Sequence, residues 1–418
     1  MSGDERGPGR DRLPVVDSDA HVVEPFELWD ELPAEVRSLS RRREVLPDGR
    51  EQLHHEGRPM RLDWTVGTLS TPGSAREGGS LDIEFTDVDP AVNDAGRRVH
   101  LMDDQGVAVS ILFPSITLGV DDITHDGYRR AHAELYNRWI ADFCSLDPAR
   151  LRWAAVIPLQ EPTWALRELE RCLSDGACAA MFSAVPRSRP HDLPYADPGR
   201  SDACRNLGHP ELDRIYSLLS EAGRPAVAHA LNPASNALGM GWLYANRTQW
   251  QMGQPFQMQL AILHVLDGGV LERHPNLRYG FFEGDVGWLP HWLGRLEETY
   301  EKFALLSRRP AASPIEQFRS QCVISGEPAD RGLSPTLDMV GAERVLFASD
   351  WPHMDGAWPD PLTILRERPD VDDAQRRAML TDGPAAFFGL DLARVATVGG
   401  WDLDARLDER STILPGGQ

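Results

Sequence analysis

Short apolar runs and longer amphipathic stretches alternate along this chain. The runs 14–20 (PVVDSDA), 107–113 (VAVSILF), 152–158 (RWAAVIP), 177–184 (ACAAMFSA), 225–230 (PAVAHA), 277–283 (LRYGFFE), 321–325 (QCVIS) and 344–349 (RVLFAS) read as buried strands. Between them, segments such as 128–146, 162–174, 211–222, 254–273 and 288–306 repeat apolar residues at helical spacing. Eight strands alternating with helices, with no internal sequence repeat, predict an α/β protein, a (β/α)8 TIM barrel over 13–395. The stretch 396–418 is expected to be a peripheral tail.

One connection breaks the rhythm. About sixty residues, roughly 30–90, separate the first two strands, too many for a plain loop. Two polar, extended arms flank an Asp48-Gly49 turn there, which predicts a hairpin within an inserted cap over one barrel mouth. The Gly- and Ser-rich stretch 67–80 and the segment 239–246 (GMGWLYAN) are expected to be loops, the second over the mouth.

Charge narrows the partners. With 43 basic against 64 acidic residues the formal net charge is -21, which argues against nucleic acid and anionic membrane surfaces. Five cysteines without a Cys-x-x-Cys pair, a polar N-terminus and no apolar run of about 18 residues predict a cytoplasmic protein acting on a small molecule.

The chemistry lies at strand ends. Asp17, Asp19 and His21 are spaced two apart, so a regular strand would project all three from one face. In such barrels the working residues sit at the C-terminal ends of strands, and His229, Glu283 and Asp350 fall there too, with His353 just beyond. Mixed carboxylate and imidazole donors suit zinc, manganese or iron(II) better than magnesium. Asp19, His21, His229 and Asp350 are therefore candidate ligands of one divalent ion, and Glu283 and His353 candidates for moving protons.

Each residue has a plainer reading. Asp19 and His21 would otherwise be a hydrogen-bonding pair at a strand end, His229 a core histidine, Asp350 a turn cap and Glu283 a helix cap. Their convergence on one mouth favours chemistry. Asp17 sits deeper and reads as a buried hydrogen-bonding group, and Glu24 as structural. His264 reads as a helix residue, while His54, His55, His125, His132, His191 and His291 have no spacing that asks for chemistry. Trp288, Trp292 and Trp351 read as packing. Signatures of serine hydrolases, phosphate loops and His-Glu-x-x-His zinc helices are absent from the sequence.

Three stretches, DSDAHVVEP (17–25), GGVLERHPNLRYGFFEGDVGWLPHWLGRLEE (268–298) and FASDWPHMDGAWP (347–359), carry a family resemblance. The chain resembles the amidohydrolase-related metal-dependent hydrolases, in the branch that includes aminocarboxymuconate-semialdehyde decarboxylase and the resorcylate decarboxylases. That resemblance spans about 14–392 and implies a distorted barrel, often dimeric, with one zinc or manganese held by Asp19, His21, His229 and Asp350. It implies non-oxidative decarboxylation of small unsaturated or aromatic acids, or hydrolysis of C–C, ester or lactone bonds.

Two departures matter. Relatives often carry His-x-His on the first strand, where this chain has Asp19, and a catalytic His at the end of the sixth, where it has Glu283. The expected activity is a metal-dependent carboxy-lyase, and because Glu283 stands where the histidine would be, a hydrolase using metal-activated water is its near-equal alternative. A catalytically inactive binding barrel is a third, remoter reading.

Overall fold

A computed structural model of the chain describes residues 13–47, 51–59, 88–186, 206–230, 247–304 and 310–395. The eight apolar runs form eight parallel strands: β1 Val15–His21, β2 Val107–Phe113, β3 Leu151–Val156, β4 Ala179–Ser183, β5 Ala226–His229, β6 Tyr279–Phe282, β7 Cys322–Gly326 and β8 Val345–Phe347. Each pairs with its neighbour in chain order, and helices pack outside, giving a nearly closed TIM barrel. Nearly every strand residue is buried, which explains why the runs read as continuously apolar.

The barrel closes differently at its last seam. β8 and β1 share no ladder; past the end of β8, Asp350 N–H donates to Asp19 O at 3.0 Å and His21 N–H to Trp351 O at 2.7 Å. The residues that seal the barrel are thus the residues at its mouth.

β1 is also irregular. Asp17 pairs with Ser110 and Ala20 with Leu112, so three steps on β1 oppose two on β2. This bulge breaks the alternation that would have put Asp17, Asp19 and His21 on one face. Asp17 turns outward, where it lines a cavity with Arg98 and Ser110, while Asp19 lines the mouth. The expectation of one shared face fails at Asp17, although its buried hydrogen-bonding role stands: it accepts from Ser349 N at 3.0 Å and Ser349 Oγ at 2.6 Å.

Helix α1, Ala95–Gln105, leads into β2 and begins at Asp94, whose side chain caps Arg97 N at 2.9 Å. Helices α2 Asp126–Cys144, α3 Pro162–Ser174, α4 Asp213–Ala222, α5 Arg247–Asp267 and α6 Leu289–Lys302 follow the predicted amphipathic segments. Between β1 and β2, strands Arg42–Val45, Glu51–His55 and Arg58–Pro59 form the small antiparallel sheet that the hairpin pattern predicts. Glu56 ties that insertion to the start of α2 by accepting from Thr124 N and His125 N, each at 3.0 Å. The Asp48-Gly49 turn, the stretches 67–80 and 239–246, His191 and the tail 396–418 lie outside the described residues. No helix among the described residues is long and apolar enough to cross a membrane.

Asn137 shows how the outer layer is fixed to the barrel. From α2 its amide donates to Val156 O at 3.0 Å and Glu168 Oε1 at 2.9 Å and accepts from Val156 N at 2.9 Å, all buried. Asn137→Ala leaves these partners unpaired, and at about 1–3 kcal/mol for a stranded buried group the expected loss is about 2–4 kcal/mol. Urea unfolding checks it: the midpoint should fall clearly below that of the wild type.

Candidate metal centre

Two imidazoles are locked into the tautomer that frees their inner nitrogen. His21 Nδ1 donates to Pro114 O at 2.7 Å and His229 Nδ1 to Ala230 O at 2.8 Å, so both Nε2 lone pairs face the barrel axis. His229 Nε2 lies 3.3 Å from Asp19 Oδ1; His21 Nε2 lies 3.5 Å from the same oxygen and 3.4 Å from Asp350 Oδ1. His21 Nε2 is fully buried yet makes no hydrogen bond. A buried orphan acceptor surrounded by carboxylate oxygens is what a cation would satisfy.

Two further groups, Glu283 and His353, complete the cluster. Glu283 Oε2 is 3.4 Å from His229 Nδ1, and Gln254 Nε2 donates to Glu283 Oε1. His353 Nδ1 donates to Asp350 Oδ1 at 2.8 Å, its Nε2 meets Ser115 Oγ at 3.0 Å, and its ring lies 4.0 Å from that of His21. His21, Glu283, Asp350 and His353 each offer a ligand atom within 4.8 Å of the others, and Asp19, His21 and His229 form an overlapping group. All six residues that the sequence singled out therefore meet at the C-terminal mouth of the barrel.

Strained backbone aims two of them. Glu283, Asp285 and Asp350 adopt φ values of 59, 53 and 55°, a region that costs a non-glycine residue about 1–3 kcal/mol unless its surroundings impose it. Glu283 N–H donates to Ser325 Oγ at 3.0 Å, and the Asp330 carboxylate takes Val286 N at 2.7 Å and Gly287 N at 2.8 Å. Between the two acids Gly284 has φ 144°, and a Cβ there would lie 2.9 Å from Met258 Cγ. Ser325 Oγ also donates to Asp19 Oδ2 at 2.9 Å, leaving Oδ1 to face the histidines.

The electrostatics are those of acids crowded without enough positive charge. Burial pushes Asp350 well above the carboxylate range, and Asp355 and Asp19 add to it. Burial does the same to Glu283, against the pull of His229. For Asp19 burial acts upward too, but His229 and His21 outweigh it and hold this carboxyl well below its usual value. Burial opposes the charged form of His229, yet Asp19 and Glu283 lift it to about 9. His21 falls to about 3 through burial and the neighbouring His353, and burial lowers His353 to about 4.

Other residues take plainer roles. Glu24 accepts from the backbone N–H groups of Ser115, Ile116 and Thr117 at 3.3, 2.8 and 2.8 Å, which fixes the loop that carries Ser115 to His353. His132 stacks on Trp29 with centroids 4.1 Å apart, and His125 caps α2. The Trp288 and Trp292 indoles donate to Gly284 O and Gln259 O and pack on the core. Sequence reasoning missed Gln254, Ser325, Asp285, Glu327 and Asp355. They line a solvent-open mouth cavity of about 350 Å³ with Asp19, Glu283 and Asp350. Of these, Ser325 and Asp285 carried a signal, since one ends a predicted strand and the other follows Glu283 by two.

Comparison with known proteins agrees with the architecture. The family described as amidohydrolase matches residues 16–390, and the chain belongs to it. It is 26% identical over 270 residues to gamma-resorcylate decarboxylase of Polaromonas sp. (strain JS666 / ATCC BAA-500), covering 61% of this chain and 76% of that one. It is 24% identical over 264 residues to 2-amino-3-carboxymuconate-6-semialdehyde decarboxylase of Dictyostelium discoideum, covering 62% and 67%. An amidohydrolase structure from Mycobacterium avium subsp. paratuberculosis K-10 superposes with a TM-score of 0.75 at 19% identity, over 91% of this chain and 99% of that one. A dihydroxybenzoic acid decarboxylase from Polaromonas sp. JS666, described with bound manganese and the inhibitor 2-nitroresorcinol, has a TM-score of 0.61 at 18% identity, over 91% and 98%.

After exchange into metal-free buffer, the purified protein is expected to retain about one equivalent of a divalent metal, and Asp350→Asn to lose most of it while keeping its circular dichroism. Elemental mass spectrometry makes the measurement. Equal metal in both proteins would remove Asp350 from the ligand set.

Proposed function

We propose that this member of the amidohydrolase family is a metal-dependent carboxy-lyase that removes carbon dioxide, without oxidation, from a small aromatic or unsaturated acid. Two distant relatives named as decarboxylases support the reaction class. The observation that carries the reading is the donor set: His21 Nε2 lies within 3.5 Å of carboxylate oxygens of both Asp19 and Asp350, His229 Nε2 lies 3.3 Å from Asp19, and the two carboxylates line the mouth cavity. Manganese is the first choice of ion. The second carboxylate makes the donor set harder than a three-histidine site, and structural relatives are described with manganese.

The cavity walls sharpen the role of that ion. Asp19, Glu283, Asp285, Glu327, Asp350 and Asp355 all line the mouth, and its described lining includes no lysine or arginine. A substrate carboxylate would meet only like charge there. A divalent metal held by Asp19, His21, His229 and Asp350 would supply positive charge for the substrate's acidic oxygens and for the charge that develops as carbon dioxide leaves.

The chain's own groups do the rest. When the C–C bond breaks, its electron pair stays on the substrate carbon, which then needs one proton. Glu283 faces the cavity with Oε1 held by Gln254 and Oε2 without a hydrogen-bond partner, so it is the group placed to deliver that proton or to orient a water that does. His353 has both ring nitrogens engaged, by Asp350 and Ser115, and its first task is to hold the Asp350 carboxylate in place.

The same Glu283 keeps a second reading open, that of a hydrolase acting on a neutral carbonyl compound with Glu283 as general base. An acidic mouth suits a neutral substrate better than an anionic one. Carbon dioxide release against incorporation of 18O from labelled water separates the two. In either reaction Glu283→Gln is expected to keep its metal and lose at least about 100-fold in kcat, as for removal of a general acid or base. Turnover at the wild-type rate would exclude Glu283 from the chemistry.

A further inference from the structure

Behind the ligand-bearing face of β1 lies a charged group that the proposed reaction does not use. Arg98 of α1 is 2% exposed. Its Nη2 donates to the carbonyl oxygen of His21, its Nε donates to Ala91 O at 3.1 Å, and its guanidinium carbon lies 4.1 Å from the Trp351 ring centroid. One side chain thereby touches the residue that is a candidate ligand on β1 and the residue that follows the candidate ligand after β8.

A second pair works at the same seam. Asp17 accepts from both Ser349 N and Ser349 Oγ, and Ser349 Oγ accepts from Trp351 N at 3.1 Å. Ser349 and Trp351 flank Asp350, whose left-handed backbone must be imposed by its neighbours. β1 and β8 share no ladder here. Elsewhere in the barrel a neighbouring strand fixes the height and rotation of each strand end, whereas at this seam side chains supply much of that restraint.

We infer that Arg98, together with the Asp17–Ser349 pair, is a positioning clamp for the metal, setting the separation of His21 and Asp350 from outside the barrel. The inference rests on the reading of those two residues as ligands. A guanidinium is suited to the task because its planar fork can serve two carbonyls while its face lies on an indole; a lysine offers a single flexible point charge. Groups that orient metal ligands without touching the ion typically change metal affinity by about 10–100-fold when altered.

Arg150 provides a matched control. It is also a buried arginine bound to strand backbone, donating to Ala108 O at 3.0 Å and Val107 O at 2.9 Å, but at the opposite end of β2 from the mouth. The experiment titrates manganese into metal-stripped wild type, Arg98→Lys, Arg150→Lys and Ser349→Ala by calorimetry, with the Tm of each metal-free protein recorded alongside. Both arginine variants should lose thermal stability. Only Arg98→Lys should also bind manganese about 10–100-fold more weakly, with Ser349→Ala weakened in the same direction.

A Kd for Arg98→Lys within twofold of wild type overturns the clamp and leaves Arg98 a structural residue. Equal weakening in Arg150→Lys does the same. Should Arg98→Lys fail to fold, Ser349→Ala decides, and an unchanged Kd there overturns the inference. A wild-type protein that takes up no manganese overturns the metal centre itself, and the clamp with it.

Discussion

The structure is organised around the cost of burying several carboxylates and imidazoles in one place. Ionised groups withdrawn from water are tolerated only when paired or when they hold a cation. Here Asp19 is paired with His229 and His21, and its carboxyl is held low; burial pushes Asp350 and Glu283 up, and neighbouring carboxylates add to it. A fold that needed only hydrogen bonds at this point would have used neutral side chains. Asp19 and Asp350 beside two histidines with their Nε2 atoms turned inward make a donor set that a divalent ion would satisfy.

That demand explains where the fold is regular and where it is not. Seven strand junctions are parallel ladders, regular apart from the β1–β2 pairing with its bulge, and they carry the apolar residues of the core. The eighth junction is the one that carries candidate ligands from both sides, and there the ladder is absent. Its place is taken by two backbone bonds between residues 19–21 and 350–351 and by side chains such as Arg98, which reaches in from the outer layer. A continuous ladder would fix both strands in extended geometry. Releasing Asp350 from it permits the left-handed turn that points its carboxylate at His21.

The parts of this arrangement legible in the sequence are those with a period. Each of the eight runs became a strand with ends close to those predicted, because burial on both faces leaves an unbroken apolar signature. The six mouth residues were legible because strand ends in an α/β barrel converge, which turns one-dimensional positions into a shared site. The position of Asp17 was not legible: a bulge inserts one residue without changing composition, so the spacing Asp17, Asp19, His21 looks regular until the pairing with Ser110 and Leu112 is known. Helix α1 escaped for a different reason: most of its residues are polar, so nothing in its own sequence marks Arg98 as the one that reaches back to the barrel. Gln254 and Glu327 escaped because nothing in their own neighbourhood marks them; only tertiary folding brings them beside Glu283 and Asp350.

The acidic mouth bears on how the family's chemistry runs in this chain. Where a relative places a histidine at the end of the sixth strand, it places a group that can be cationic and can help to attract an acid. Glu283 cannot do that, and Asp285, Glu327 and Asp355 add to the repulsion. In the proposed reaction the attraction of an acidic substrate would then fall on the metal alone, its two positive charges partly offset by the candidate ligands Asp19 and Asp350. An acid that chelates through two oxygens would overcome this better than a simple carboxylate, because its second bond to the ion costs little further entropy once the first is made. Should the chain act on an acid, a carboxylate next to a hydroxyl or carbonyl oxygen is the form that this acidic mouth would disfavour least, and a neutral carbonyl compound would avoid the repulsion altogether.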